Sequence, residues 1–223
     1  FFMNKNFKCV IFDLDGTLID SGPDLASSLN YVLRKQGFED IKPSILGDLV
    51  GGGAEMMIRR GFDYIKSKID EKKVQIYISQ FLEYYYNNCT NQTKLYKGVE
   101  TTLKYLKKRN IKVCLCTNKK QYLTDKIIKE FELDNYFDFI LGSSEKLEMK
   151  PSVQMLEFCS QKLQINSSEQ CVMIGDSDND IIPANKLKMT SIYVRYGYGK
   201  LSKNLFASYE VNEIKEIIEI CNF

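Results

Sequence analysis

The chain has 223 residues, 44% of them hydrophobic and 27% charged, with a formal net charge of +2. This suits one core domain with an insertion, or two small domains, and gives no electrostatic reason to expect nucleic acid or an anionic membrane as partner. There is no histidine, which excludes a Ser-His-Asp triad, a Cys-His dyad, a phosphohistidine intermediate and His-ligated metals.

Cys9–Phe12 is a short apolar run and reads as a buried strand. It ends in Asp13-Leu14-Asp15-Gly16-Thr17, two carboxylates one residue apart as the chain turns. If the strand geometry persists, Asp13 and Asp15 share a face. Two like charges that close are unfavourable unless a cation or a phosphate needs them. Taken alone, the pair reads more simply as a solvated turn.

Pro23 and Asp24 signal a helix start. Leu25, Leu29, Val32 and Leu33 continue it at helical spacing, with an end near Gly37. Residues 43–92 contain no convincing strand. A short helix is expected over Ile45, Leu46, Leu49 and Val50, another from Met56, and a longer one through Val74, Ile78, Phe81, Leu82 and Tyr85. Gly51-Gly52-Gly53 lacks G-x-G-x-x-G spacing and follows no strand, so it is not a dinucleotide fingerprint. Tyr84-Tyr85-Tyr86 reads as core packing with wet outer hydroxyls.

From Tyr96 the pattern alternates. A helix through Val99, Leu103 and Leu106 ends near Asn110, a residue that tolerates the left-handed cap. Strands follow at Ile111 to Cys116, Phe139 to Leu141, Cys171 to Ile174 and Ser191 to Val194, with helices at Tyr122 to Phe131, from Lys150-Pro151 through Leu163, and at Ile181 to Leu187. A final amphipathic helix is expected from Val211 to Cys221. The fold class predicted is α/β: a Rossmann-like parallel sheet with helices on both faces, plus an inserted all-helical domain. Residues 1–19 and 93–223 would form the core, and residues 20–92 the insertion.

Such sheets bind ligands beyond the carboxyl ends of their strands. Asp13, Asp15, Thr117, Asn118 and Asp176 all fall at those ends, which weakens the solvated-turn reading. Asp176 and Asp180, in Gly-Asp-x-x-x-Asp, share a face at a helix start. One acidic turn is ordinarily a helix cap; two at strand ends of one sheet favour a metal. A carboxylate cluster without imidazole or thiolate is a hard oxygen site that suits Mg²⁺. Phosphoryl transfer fits this inventory. One carboxylate can attack phosphorus. Lys150, Thr117, Asn118 and N–H groups of the Leu14–Thr17 turn can hold phosphate oxygens, and a second acid can protonate the leaving oxygen.

Four strings, in order, resemble the signatures of the haloacid dehalogenase-like phosphohydrolase superfamily. They are Asp13-Leu14-Asp15-Gly16-Thr17, Thr117-Asn118, Lys150-Pro151 and Gly175-Asp176-Ser177-Asp178-Asn179-Asp180. The second acid of the first string resembles the phosphatase and mutase branch. The resemblance implies Asp13 as nucleophile and Asp15 as general acid/base. It implies Mg²⁺ held by Asp13, the backbone carbonyl of Asp15, and Asp176, with Asp180 supporting that shell and Lys150. Thr117, Asn118 and Lys150 would bind the phosphoryl group, and residues 20–92 would be the cap domain.

Leu18-Ile19-Asp20-Ser21, Val50-Gly51-Gly52-Gly53-Ala54, Thr117-Asn118-Lys119 and Tyr196-Gly197-Tyr198-Gly199 are similar to the phosphoglycolate phosphatase subgroup. Val153, Pro183 and Lys186-Leu187-Lys188 depart from its pattern. The activity implied is Mg²⁺-dependent hydrolysis of a small anionic phosphate ester, foremost 2-phosphoglycolate. A sugar-phosphate or nucleotide phosphatase, a phosphomutase and a silent binding module are the alternatives. A phosphonatase would need a cap lysine, for which only Lys66 and Lys68 offer themselves. Arg59, Arg60 and Arg195 are candidate carboxylate clamps by chemistry.

No apolar run approaches the roughly 20 residues that span a bilayer. No secretory-leader pattern precedes the first strand, and Phe1-Phe2 before Met3 is expected to be a start-site artefact. The seven cysteines have no zinc-ribbon spacing and read as buried reduced thiols. A cytoplasmic enzyme with a small-molecule substrate, and neither nucleic acid nor membrane as partner, is expected.

Overall fold

The computed structural model describes residues 7–42, 45 and 49–222. The chain divides into two compact units, Phe1–Ile19 with Leu95–Phe223, and Asp20–Lys94. Strand β1 (Cys9–Phe12) belongs to the first unit. β2 (Ile19–Asp20) and β3 (Lys94–Leu95) form a two-stranded sheet where the chain passes between units.

In the first unit the strands are β1, β4 (Lys112–Lys120), β5 (Phe139–Ser143), β6 (Cys171–Gly175), β7 (Thr190–Val194) and β8 (Tyr209–Val211). Among the described residues they make a six-stranded parallel sheet in the order β5-β4-β1-β6-β7-β8. Val10 aligns with Val113 on one side and Val172 on the other. All of Cys9–Phe12 is fully buried. Since strand neighbours point to opposite faces, both faces of β1 are covered. The chain leaves β1 toward β4 and β5, then returns to the far side of β1 at β6. That reversal makes β1 and β6 the switch point of the sheet, where its carboxyl ends open a crevice.

On one face, Cys9 and Ile11, Cys114 and Cys116, and Cys171 and Met173 join Leu141, Leu156 and Cys159 in a single core. All seven cysteines are free and buried; Cys9, Cys114, Cys116 and Cys171 lie in the covered strands.

Helices α1 (Gly22–Lys35), α2 (Ala54–Tyr64) and α3 (Val74–Asn88) build the second unit. Leu29, Val32 and Leu33 of α1 are buried, as are Tyr77, Phe81 and Tyr85 of α3, and α1 packs on α3. Tyr84 stacks on Tyr31, Tyr85 is buried and Tyr86 is exposed, so the tyrosine run is packing. Asp24 accepts hydrogen bonds from the N–H of Gln92 and from the N–H and hydroxyl of Thr93, tying the start of this unit to its end.

Helices α4 (Val99–Lys108), α5 (Gln121–Glu130), α6 (Gln154–Lys162) and α7 (Asp178–Lys186) pack on the sheet, and α8 (Glu216–Ile220) is short. Three expectations need correction. The run from Val211 to Cys221 is not one helix. Val211 closes edge strand β8, and the helix covers Glu216–Ile220 only. Val211, Ile214, Ile217 and Cys221 are all buried, so a strand, a turn and a short helix imitate a helical period. The helix expected from Lys150-Pro151 begins at Gln154, because a residue before proline is pushed out of the α region. β4 runs on to Lys120, past the expected end at Cys116. The short helix expected at Ile45 to Val50 lies largely outside the described residues.

Candidate active site

Asp13 is the first residue past β1, and its N–H donates to Ile174 O at 2.9 Å, continuing the ladder with β6. Its carboxylate Oδ1 accepts from Lys150 Nζ at 2.9 Å. The same ammonium donates to Asp180 Oδ1 at 2.6 Å and to the carbonyl of Cys116 at 2.7 Å. All three donors of Lys150 are thereby used. Its side chain is 1% exposed.

Lys150 is held from behind. Asn118 Nδ2 donates to Lys150 O at 2.7 Å, and Lys150 N donates to Asn118 Oδ1 at 2.9 Å. Asn118, expected to bind phosphate, thus has its side chain committed to the Lys150 backbone. Thr117 is buried near the end of β4, and its Oγ1 accepts from the N–H of Lys119.

Asp176 follows β6, and its Oδ2 accepts from the N–H of Tyr198 at 2.8 Å and of Gly199 at 3.0 Å. A Cβ on Gly197 would overlap Asp176 and the Gly16 carbonyl, so only glycine lets this loop approach. Asp180, on the first turn of α7, forms a capping box with Ser177 through Oδ2. Its Oδ1 is left for Lys150.

The carboxylates of Asp13, Asp176 and Asp180 offer oxygens that all lie within 4.8 Å of one another. Burial pushes Asp13 up to about 8, against the pull of Lys150, and the Asp180 and Asp176 charges add to the rise. Burial and Asp180 push Asp176 up to about 7, against the Gly199 and Tyr198 N–H groups. Burial also works against the Lys150 charge, but Asp13 and Asp180 outweigh it and hold the ammonium well above the ordinary lysine range. With all three acids ionised, three carboxylates face one ammonium, an excess of two negative charges.

Asp15 does not join this cluster. Its carboxylate turns to Lys119, 2.9 Å away. Asp180 and Asp176 are the acids whose charges raise Asp13 most, and the Asp15 carboxylate is paired with Lys119. The turn from Asp13 to β2 is closed by its own hydrogen bonds. Gly16 N donates to Ile19 O, and Thr17 N to Leu14 O, so these two N–H groups, expected to bind phosphate, are spent. Gly16 has φ +80°, and a Cβ there would meet the Asp176 carboxylate. The Tyr196 hydroxyl donates to Thr17 O at 2.8 Å, and its ring tilts on Tyr96.

The model of the haloacid dehalogenase-like hydrolases matches residues 10–194. The chain belongs to this family. A phosphoglycolate phosphatase of Colwellia psychrerythraea is 33% identical to this hydrolase over 194 residues, 86% of this chain and 85% of that protein. One of Chromobacterium violaceum is 32% identical over 217 residues, 97% of each. The crystal structure of a predicted phosphoglycolate phosphatase from Haemophilus somnus superposes with a TM-score of 0.88 at 28% identity, covering 96% of this chain and 98% of that one. The hydrolase is a phosphatase by this kinship.

Two features of the hydrolase's site escaped the sequence. Lys119 carries no mark in the sequence, because a lysine at a strand end is usually solvated; only its burial marks it. Tyr198 and Gly199 act through backbone N–H groups, which no side-chain pattern reveals. The three candidate arginine clamps are engaged elsewhere. Arg59 is paired with Glu55 and Glu71, Arg60 with the carbonyls of Leu49, Val50 and Gly51, and Arg195 with Glu210. Lys66 and Lys68 are exposed, so neither has the desolvation that a Schiff-base lysine needs. Among the described residues, no helix is long and apolar enough to cross a membrane.

Proposed function

We propose that the chain is a Mg²⁺-dependent phosphomonoesterase that hydrolyses a small carboxylate-bearing ester, foremost 2-phosphoglycolate, through an aspartyl-phosphate on Asp13. The observation that carries this reading is the buried group of three aspartates around Lys150. A carboxylate so placed has little solvent shell to shed before it attacks. With Oδ1 held by Lys150, Oδ2 is the attacking oxygen. It forms a bond to phosphorus as the ester bond breaks.

Asp15 gives its proton to the departing alkoxide, then takes one from the water that cleaves the phosphoryl-aspartate. Lys150, exchanging one of its three present bonds for the ligand, binds phosphoryl oxygens together with the Thr117 hydroxyl and Asn118. Asp180 restrains Lys150 and the start of α7.

The residues fit Mg²⁺. Oxygen donors only, three buried carboxylates and two negative charges in excess of the ammonium suit a hard divalent ion. Asp13, Asp176 and the Asp15 carbonyl would hold it, and when bound it supplies the positive charge that lets a phosphate dianion approach a carboxylate.

We assign Asp20–Lys94 as the cap and the remainder as the catalytic core. The names of the relatives support glycolate as the leaving group. Seven free, buried thiols fit a reducing compartment, here the cytoplasm.

The test is turnover of 2-phosphoglycolate, ribose 5-phosphate, glucose 6-phosphate and nucleoside monophosphates with Mg²⁺, with EDTA, and in Asp13→Asn. Expected are loss with EDTA, a drop of at least about 10³-fold in Asp13→Asn, and the highest kcat/KM on 2-phosphoglycolate. A higher kcat/KM on a sugar phosphate or nucleotide overturns the substrate assignment. Turnover indifferent to EDTA overturns the mechanism.

A further inference from the structure

Lys119 stands outside the phosphoryl cluster. Its side chain is 4% exposed, and its ammonium lies 2.9 Å from Asp15 Oδ1. The two site lysines divide the acids between them: Lys150 pairs with Asp13 and Asp180, and Lys119 with Asp15. We propose that Lys119 is the specificity residue for the leaving group, the cation that receives an anionic carboxylate borne on the carbon next to the ester carbon.

This rests on the phosphatase reading above, in which Asp15 serves the departing oxygen. A group within hydrogen-bond reach of Asp15 is then two such contacts from that oxygen, roughly 6 Å through one carboxylate oxygen and roughly 8 Å at most through both. A carboxylate in 2-phosphoglycolate begins two covalent bonds from the ester oxygen, with its own oxygens roughly 3 Å away. It therefore comes within reach of the ammonium from beside Asp15, which takes one of the three ammonium donors. A neutral leaving group offers Lys119 nothing. An anion several atoms farther along, as in a bisphosphorylated sugar, overshoots it.

No arginine competes for this role. Arg34 and Arg109 are engaged by Asp40 and the Tyr105 ring, and Arg59, Arg60 and Arg195 by the partners given above. Burial matters too. An ammonium removed from water binds a carboxylate more strongly than an exposed one does, and its backbone is fixed by the N–H to Thr117 Oγ1 bond at 3.2 Å.

The measurement is the ratio of kcat/KM for 2-phosphoglycolate to that for 2-hydroxyethyl phosphate, which replaces the carboxylate by a neutral alcohol on the same skeleton. Both esters are assayed with Mg²⁺ in wild type, Lys119→Met and Lys119→Arg. Expected is a wild-type ratio that falls 30-fold or more in Lys119→Met, mostly through KM, and is largely kept in Lys119→Arg. Inhibition by glycolate should weaken in parallel. A Lys119→Met protein that loses both esters equally, with the ratio within threefold of wild type, overturns the proposal, as does a wild type that does not prefer the carboxylate ester. Should Lys119→Met fail to fold by its melting curve, a Lys119→Arg ratio collapsed to that of a neutral-selective enzyme overturns it as well. Wild type inert toward every ester refutes the parent reading instead, so the two failures are distinct.

Discussion

Replacing Lys150 with methionine keeps much of the side-chain length and removes the charge. The perturbation strikes an ammonium that is 1% exposed and bonded to Asp13 at 2.9 Å, Asp180 at 2.6 Å and the Cys116 carbonyl at 2.7 Å. Deleting it leaves three buried carboxylates within 4.8 Å of one another without their shared counter-charge. Breaking a buried pair by removing one partner costs about 3–5 kcal/mol. For a chain of this length each kcal/mol lowers Tm by about 2–4 °C. The metal-free variant should therefore melt roughly 6–20 °C below wild type at pH 8. The deficit should shrink toward pH 5. With the lysine present, Asp13 and Asp176 already rise to about 8 and about 7; without it both climb further, so proton uptake on acidification relieves the variant more than wild type. Mg²⁺ should restore part of the loss. Circular-dichroism melts of both proteins in EDTA at pH 5 and pH 8, repeated with Mg²⁺, measure this. A variant within about 2 °C of wild type in EDTA at pH 8, or a deficit that grows on acidification, would refute the counter-charge argument.

In the wild type, Asp13 and Asp176 have folded-state values raised above the unfolded value of 3.8, so the native state binds more protons than the unfolded one between about pH 4 and 8. Their contribution to metal-free stability should thus decline as pH rises through that window, read by urea titration in EDTA; a rise attributable to these two groups, isolated with Asp176→Asn, would contradict it. Gly197→Ala should weaken Mg²⁺ binding at least about 10-fold, since a Cβ there displaces Asp176; isothermal calorimetry with unaltered affinity would show that the loop yields freely. Asp24→Asn should destabilise the helical unit by about 1–3 kcal/mol, because an amide cannot accept from the Gln92 N–H, the Thr93 N–H and the Thr93 hydroxyl at once; an unchanged urea midpoint would count against it.

Much was legible in the linear chain. The apolar runs at Cys9–Phe12 and Cys171–Gly175 are buried on both faces, and a fully covered strand needs no alternation to be recognised. Acids directly after such runs must stand at carboxyl ends of strands, so Asp13 and Asp176 were placed by pattern. Asn110 takes the left-handed conformation expected of a helix cap, at φ 56°. The edge was misread, because an edge strand as short as Tyr209–Val211 carries too few residues to show a period of two.

Which acids face one another was not legible. Chain neighbours Asp13 and Asp15 seemed the pair in conflict, yet Asp13 meets Asp176 and Asp180 from beyond β6, while Asp15 turns to Lys119 from β4. Residue order along the chain settles fold class and family, since both rest on local runs and on motifs in sequence. Charge partners are settled by the sheet. Placing β4 and β6 on either side of β1 brings Lys119 and Asp176 against residues more than 100 positions away, and burial in that crevice, invisible in composition, is what raises the Asp13 carboxyl and sets two lysines in buried ion pairs.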